Sequence, residues 1–301
     1  MNLDYAAPVR EALANDQPVV ALETTVITHG MEYPHNRDVS LAMIDAIGET
    51  GACAAILAIV DGRVTVGLDD ELLETFATAE RDSIAKCSRR DLPGIVGLGQ
   101  SGSLTVSGTA MVAHAAGIDL FATGGIGGVH RGHPFDVSAD LTELGRTPVA
   151  VVCAGAKSIL DLELTLEVLE TQGVPVVGFG TDKLPAFYTR SSDFAVPTVA
   201  RDVAEAAAIV RAWRELDTGN GMLITVPVPE DSALSEADAE AAIVKAVAEA
   251  DANSIVGNAV TPYVLGRIVE LTDGRSLTAN KALLVNNAGV AAAIAVESIR
   301  S

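Results

Sequence analysis

Lys157 closes the apolar run PVAVVCAGAK, and a lysine in that setting has two properties that chemistry can use. Desolvation by neighbouring Val and Ala side chains disfavours the ammonium form, and a free amine attacks an anomeric carbon. The carboxyl ends of strands are also where open α/β sheets hold their ligands. On spacing alone, a purely structural lysine stays open beside this reading. Glu23 is the second candidate, lying in QPVVALETTVI (17–27), whose β-branched residues predict a core strand with the glutamate inside it. A carboxylate flanked by Ala21, Leu22, Thr24, Thr25 and Val26 is costly to bury unpaired, and burial favours the protonated form that a proton donor needs. A structural pairing with an arginine would satisfy it as well.

Other chemistry is gathered in Phe121–Lys157. IDLFATGG reads as a buried strand that stops at paired glycines, where the backbone can take positive φ and come close to a ligand, such as a phosphate or sugar. His130, His133 and Asp136 follow at spacings of three, which permits a hard divalent cation held by few protein ligands and several waters, although HxxH by itself is nonspecific. SIAKCSRRDLP (83–93) brings Lys86, Arg89 and Arg90 together after a short strand, as an anion site or a solvated basic turn. His29, His35 and Arg37 crowd the loop after the Glu23 strand. GLGQSG (97–102) formally matches G-x-G-x-x-G, but the segment before it is too short for the required strand and Asp119 begins the next apolar run instead of ending it. A dinucleotide site is set aside on those grounds.

The elements that must position these groups alternate along the chain. Helices are expected over 3–15, in 28–51 with Asn36 or Asp38 as cap, over 69–79, and in SLTVSGTAMVAHAAG and SILDLELTLEVLETQG. Asp61-Gly62 predicts a hairpin within 53–68, and GVPVVGFGTD and GMLITVPVP predict further strands. LPAFYTRSS carries Phe187, Tyr188 and Arg190 as pocket edge or core. A long helix follows AVPTVARD, and the last third reads as three helices separated by GNAVTPY and TDGRS, with Asn280, Asn286 and Asn287 near a helix start. This alternation predicts a three-layer α/β/α fold with a mixed central sheet, mixed because the Asp-Gly hairpin is antiparallel. No repeat or linker interrupts it, so 1–301 is expected to form a single domain.

Composition narrows the class. Hydrophobic residues make up 49%, with 27 glycines and only 4% aromatics, as in a globular enzyme of Ala/Val/Leu helices on sheets. The net charge of -20, from 40 acidic and 20 basic residues, argues against nucleic acid but still admits a small phosphorylated substrate where cations are focused in a cleft. Cys53, Cys87 and Cys153 form no CxxC or even framework and read as reduced core thiols of a cytoplasmic protein. The charged N-terminus lacks a signal-like apolar core, and no apolar run is expected to reach the roughly 18 residues of a membrane span.

Taken together, ALETTVITHGM (21–31), FATGGIGGVHRG (121–132), DVSADL (136–141), CAGAKSILDLELTLEVLETQGVPVVGF (153–179) and LPAFYTRSS (184–192) resemble the pseudouridine-5'-phosphate glycosidase family, which also includes indigoidine-synthase-A-like proteins. The resemblance runs from about Ala21 to the C-terminus. It implies reversible cleavage of pseudouridine 5'-phosphate into uracil and ribose 5-phosphate, with Glu23 as proton donor and Lys157 as nucleophile. It further implies Lys86, Val106, Ser138, Ala139 and Asp140 at the substrate, one manganese ion (Mn2+) per subunit on Asp136, and a homotrimer. Asn280 and His130 complete the substrate-binding candidates. One departure stands out: where the family runs close to A-N-P-I-P, this chain has Thr225, Val226, Pro227, Val228 and Pro229, and Val226 has none of an asparagine's hydrogen-bonding groups. A Schiff-base aldolase or lyase on another sugar phosphate would use the same lysine and glycine loop without uracil.

Overall fold

Four short apolar strands, Val19–Leu22, Leu120–Ala122, Ala150–Cys153 and Met222–Thr225, lie side by side in parallel and are buried along their whole length. Their sequences are continuously apolar, without alternation, because both faces of the sheet are covered. The computed structural model describes residues 1–80, 83–255 and 260–299. Among these, eleven strands form one sheet, nine of them in the order Leu3–Tyr5, Arg63–Val66, Cys53–Val60, Val19–Leu22, Leu120–Ala122, Ala150–Cys153, Met222–Thr225, Val176–Phe179 and Thr198–Ala200. Ala85–Cys87 and Gly102–Leu104 are attached beside Cys53–Val60. The sheet is mixed, as the hairpin signal predicts: Cys53–Val60 and Arg63–Val66 pair antiparallel through Asp61 (φ 47°) and Gly62 (φ 77°), both in the left-handed region that such a turn requires.

Helices complete the three-layer α/β/α arrangement. The C-terminal helix Arg275–Ile299 packs on the first three central strands and on the helices His35–Gly48 and Val203–Leu216, while Val106–Ala115 packs on Cys53–Val60, Val19–Leu22 and Leu120–Ala122. By length and composition Arg275–Ile299 is apolar enough to cross a membrane, with mean hydropathy 1.6, contrary to the expectation that no such run exists. Half of that apolar window is buried inside the protein, with Leu283, Ala288 and Ala291 wholly inaccessible, which is the placement of a core helix.

Three expected boundaries shift. Residues 3–15 split into the edge strand Leu3–Tyr5 and the helix Ala7–Ala14. The second helix starts at His35, and Asn36 does not cap it: its amide donates to the carbonyls of Ile27 and Ala77, both at 2.8 Å. The run QPVVALETTVI leaves the sheet at Leu22, so Glu23 is the first residue beyond the strand and not a member of it. The Thr24 carbonyl accepts from the amides of Ile27 and Thr28, and Val26–Gly30 winds into a short π-helix, a form common at functional sites. All three cysteines are free, and burial pushes the thiols of Cys87 to about 11 and Cys153 to about 12. The helices Glu236–Ala252 and Val260–Leu271 are present, and the loop expected between them at 257–263 lies partly outside the described residues.

Candidate active site

The site is built where three adjacent parallel strands end. Leu22 and Ala122 are in register, as are Ala122 and Val152, so Glu23 and Thr123 leave the sheet at one level. Glu23 is 6% exposed, and among the described residues no arginine pairs with it. Instead the Thr25 hydroxyl donates to one carboxyl oxygen and the Thr123 hydroxyl to the other. Thr123 is itself fixed from the opposite layer, because the buried Asn287 amide of the C-terminal helix donates to its carbonyl at 2.8 Å.

Lys157 lies four residues beyond Cys153, on a loop laced to the glycine segment. Ala154 N–H donates to Gly124 O (2.8 Å), Ile126 N–H to Gly155 O (3.1 Å) and Lys157 N–H to Ile126 O (3.0 Å). Two loops that leave neighbouring strands therefore support each other, and they carry the lysine over to the Glu23 side. Glu23, Thr25, Lys86 and Lys157 line a wall common to two cavities. The larger, about 320 Å³, is bounded by Lys86, Ser88, Arg90, Val106, His130 and the segment Asp136–Asp140. The smaller, about 60 Å³, is bounded by His29, Gly124, Gly125, Phe187 and Asn280. Glu23, Lys86, Val106, His130, Asp136, Ser138, Ala139, Asp140, Lys157 and Asn280 each border one or both.

Their surroundings differ. Val106 opens the helix Val106–Ala115, whose Thr105 cap side chain accepts from Gly108 N–H, and this helix start faces the larger cavity. Ser138 caps the helix Ala139–Leu144, and the buried Asp140 carboxylate accepts from Ser107 N–H (2.9 Å) and Gly127 N–H (2.8 Å), tying three loops together. Of the expected cation cluster, Lys86 and Arg90 face the cavity. Arg89 does not; it turns to the fully buried Glu143, which also accepts from Arg146 and Thr147. Burial would push the Glu143 carboxyl up, but the hydrogen bonds from Arg89, Thr147 and Arg146 outweigh it and hold the group below its ordinary value.

Asp136 is exposed on the short strand His133–Val137, which pairs with Val129–His130. Both it and His130 border the larger cavity, whereas His133 does not. Among the described residues no three His, Cys, Asp or Glu side chains are placed to hold a metal together. One free carboxylate suits a hard cation that keeps most of its waters, not a caged metal.

These positions can now be set against known proteins. A family model described as "Indigoidine synthase A like protein" matches residues 8–297. The chain belongs to the indigoidine synthase A-like family. It is 52% identical over 287 residues to the pseudouridine-5'-phosphate glycosidase of Paracoccus denitrificans, covering 95% of this chain and 94% of that one. It is 51% identical over 301 residues to the protein of the same name from Herpetosiphon aurantiacus, covering 99% of each. Among solved structures, a prealnumycin C-glycosynthase in complex with ribulose 5-phosphate superposes with TM-score 0.89 at 40% identity, over 99% of this chain and 98% of that one. An indigoidine synthase A-like protein of Thermotoga maritima gives TM-score 0.89 at 34% identity, over 99% and 97%.

In this indigoidine synthase A-like chain, two sequence expectations change. Gly124, Gly125, Gly127 and Gly128 are not in the left-handed region; they are glycine because side chains press on them. A Cβ on Gly127 would sit 2.2 Å from Ser138 Oγ, and one on Gly125 would sit 2.7 Å from the Phe187 ring. Val226 borders neither cavity: it is buried, with its N–H on Cys153 O, so the departure at TVPVP falls in the core. Arg190 is likewise spent on Val228 O at 2.7 Å. Phe187 borders the smaller cavity with φ 65°, a strained value for a bulky residue, and its ring meets Tyr188 edge-on at 4.9 Å. Sequence reasoning missed the roles of Thr25 and Thr123. A threonine beside each strand end, in ALETT and FATGG, was the available signal.

Proposed function

We propose that this chain reversibly cleaves the C–C glycosidic bond of pseudouridine 5'-phosphate to uracil and ribose 5-phosphate through a covalent adduct on Lys157. The observation that carries this reading is the shared wall of Glu23 and Lys157, with a cation-bearing cavity on one side and the Asn280–Phe187 cavity on the other. The names of the relatives support the glycosidase reading, and the pentulose phosphate bound by the C-glycosynthase supports a sugar phosphate here.

The phosphate is assigned to the larger cavity, where Lys86, Arg90 and the positive end of the helix Val106–Ala115 supply positive charge. The base is assigned to the smaller cavity, with Asn280 for its polar edge and Phe187 for its apolar surface. C1' then lies at the wall between them. Glu23 delivers a proton to the ribose ring oxygen as the ring opens, and the Lys157 amine forms a bond to C1'. The bond from C1' to uracil C5 breaks with return of a proton to C5, and hydrolysis of the imine frees ribose 5-phosphate and the lysine. A hydroxyl serves either as donor or as acceptor, so Thr25 and Thr123 hold Glu23 in both its charged and its neutral form. Asp136 would hold a divalent cation, for which we propose manganese, one per subunit; when bound it adds positive charge beside an anionic substrate. The assembly proposed with it is a homotrimer.

The test is to incubate the protein with ribose 5-phosphate, uracil and manganese and to follow loss of uracil and the mass of the product, with borohydride trapping in parallel. Nucleotide formation and a trapped pentose phosphate on Lys157 are expected. An adduct without nucleotide would leave the sugar chemistry standing and remove uracil, the result expected of a Schiff-base aldolase or lyase. Absence of both would overturn the reading.

A further inference from the structure

Cleavage needs a proton at two places, the ribose ring oxygen and uracil C5. Glu23 serves the first, and Lys157 is already bonded to C1' when the second is needed. Among the described residues that border the smaller cavity, to which the base is assigned, the titratable side chains are Glu23, His29, Lys86 and Lys157. All of them except His29 also border the cavity assigned to the phosphate. His29 stands on the π-helix Val26–Gly30, directly after the Glu23 strand end, and is half-buried.

Its ring is held by two hydroxyls whose own hydrogens are directed elsewhere. Thr28 Oγ1 lies 2.5 Å from His29 Nδ1 and donates to Thr24 O at 3.3 Å. Ser103 Oγ lies 3.3 Å from the same nitrogen and donates to Ala85 O at 3.4 Å. Both oxygens therefore turn lone pairs towards Nδ1, which carries the ring hydrogen and donates it. Ser103 is wholly inaccessible, so this edge of the ring is anchored in the interior. With Nδ1 protonated in both charge states, Nε2 is the nitrogen that gains and loses a proton.

We propose that His29 is the acid–base residue for the pyrimidine: it gives a proton to uracil C5 in cleavage and removes that proton in synthesis. The proposal rests on the reading of Glu23 and Lys157 given above. In cleavage Glu23, ionised by the ring-opening step, takes the proton of the newly bonded lysine nitrogen and leaves it a lone pair. The imidazolium Nε2–H then protonates C5, the electron pair of the C1'–C5 bond restores the C5–C6 double bond, and the nitrogen lone pair forms the C=N bond at C1'. The positive charge passes from imidazolium to iminium, so the step balances without a further reactant. Neutral His29 reverses it in synthesis, taking the C5 proton after the new carbon–carbon bond has formed.

His29→Gln tests this, because glutamine keeps a polar side chain of similar reach and cannot carry the proton. Borohydride capture of ribose 5-phosphate on Lys157 is expected to stay within about twofold of wild type, which also shows that the variant is folded. Nucleotide synthesis from ribose 5-phosphate and uracil is expected to fall by about 100-fold or more, the usual contribution of an acid–base group. The residual synthesis should be slower with 5-deuterouracil than with uracil, because loss of the C5 hydrogen has become rate-limiting; a merely structural role would leave the two rates equal. His29→Asn is read in the same way if circular dichroism shows the glutamine variant unfolded. Synthesis by the folded variant within about twofold of wild type would overturn the proposal alone, as would equal loss of capture and synthesis, or equal rates with the two uracils. A wild type that forms no nucleotide from uracil would remove the underlying reading instead.

Discussion

Replacing Thr123 by valine removes one hydroxyl and almost no volume from a position that is 1% exposed, so packing is preserved and the change is chemical. Its consequence falls on Glu23, which loses the donor on one carboxyl oxygen while Thr25 keeps the other. A buried acceptor left without its partner costs about 1–3 kcal/mol, which corresponds to roughly 5- to 150-fold when it is expressed in the proton-transfer step. The loss should appear in kcat, because the acid is aimed from one side only. KM for ribose 5-phosphate should hold if the phosphate occupies the other cavity, as proposed above. Thr123→Ser retains the hydroxyl and should recover most of the activity. Steady-state kinetics of nucleotide synthesis for the three proteins, with thermal unfolding as a check on folding, measures this. Valine activity within about twofold of wild type, or serine as impaired as valine, would refute the argument.

Lys157→Ala should abolish turnover and borohydride capture without changing the circular dichroism spectrum, and near-wild-type activity would exclude the covalent route. Asp136→Ala should lower activity and weaken its response to added manganese; unchanged manganese content in the purified variant would count against the assignment. Gly127→Ala places a Cβ 2.2 Å from Ser138 Oγ and 2.8 Å from Asp140 Oδ2, so the Ser138–Asp140 segment must shift, and a loss of roughly 100-fold in kcat/KM is expected. Wild-type kinetics in that variant would show the segment is not part of the site. The Glu143 carboxyl is held below its ordinary value of 4.5 in the folded chain, so its contribution to stability is complete above that pH and is lost as pH falls through the depressed value. Glu143→Gln should therefore cost about 1–3 kcal/mol near neutrality, the partly exposed Arg89 and Arg146 being able to reach solvent, and flatten the acid limb of stability, measured by denaturant melts along a pH series. An unchanged acid limb would show that Glu143 is not the group responsible.

Local chemistry that depends on neighbours in the chain was legible in the sequence. Asp61-Gly62 made a hairpin because two consecutive left-handed residues match strand twist, and the continuous apolar runs at Val19, Leu120 and Ala150 announced strands covered on both faces. Glu23 and Lys157 stood out because a charge beside an apolar run must be explained. What the sequence left open depended on contacts between distant segments. Parallel order across the sheet is set by long-range pairing, and it alone put Glu23 and Thr123 at one level and placed Lys157 on the wall they share. The same distance effect sent Arg89 away from Lys86 to Glu143, buried Val226, and gave the GGIGG glycines a steric role against Ser138, Thr165 and Phe187 instead of a left-handed one. A side chain's type and spacing state what it can do, but a buried partner tens of residues away decides which of those things it does, because satisfying hydrogen bonds and close packing in the interior are properties of the assembled fold.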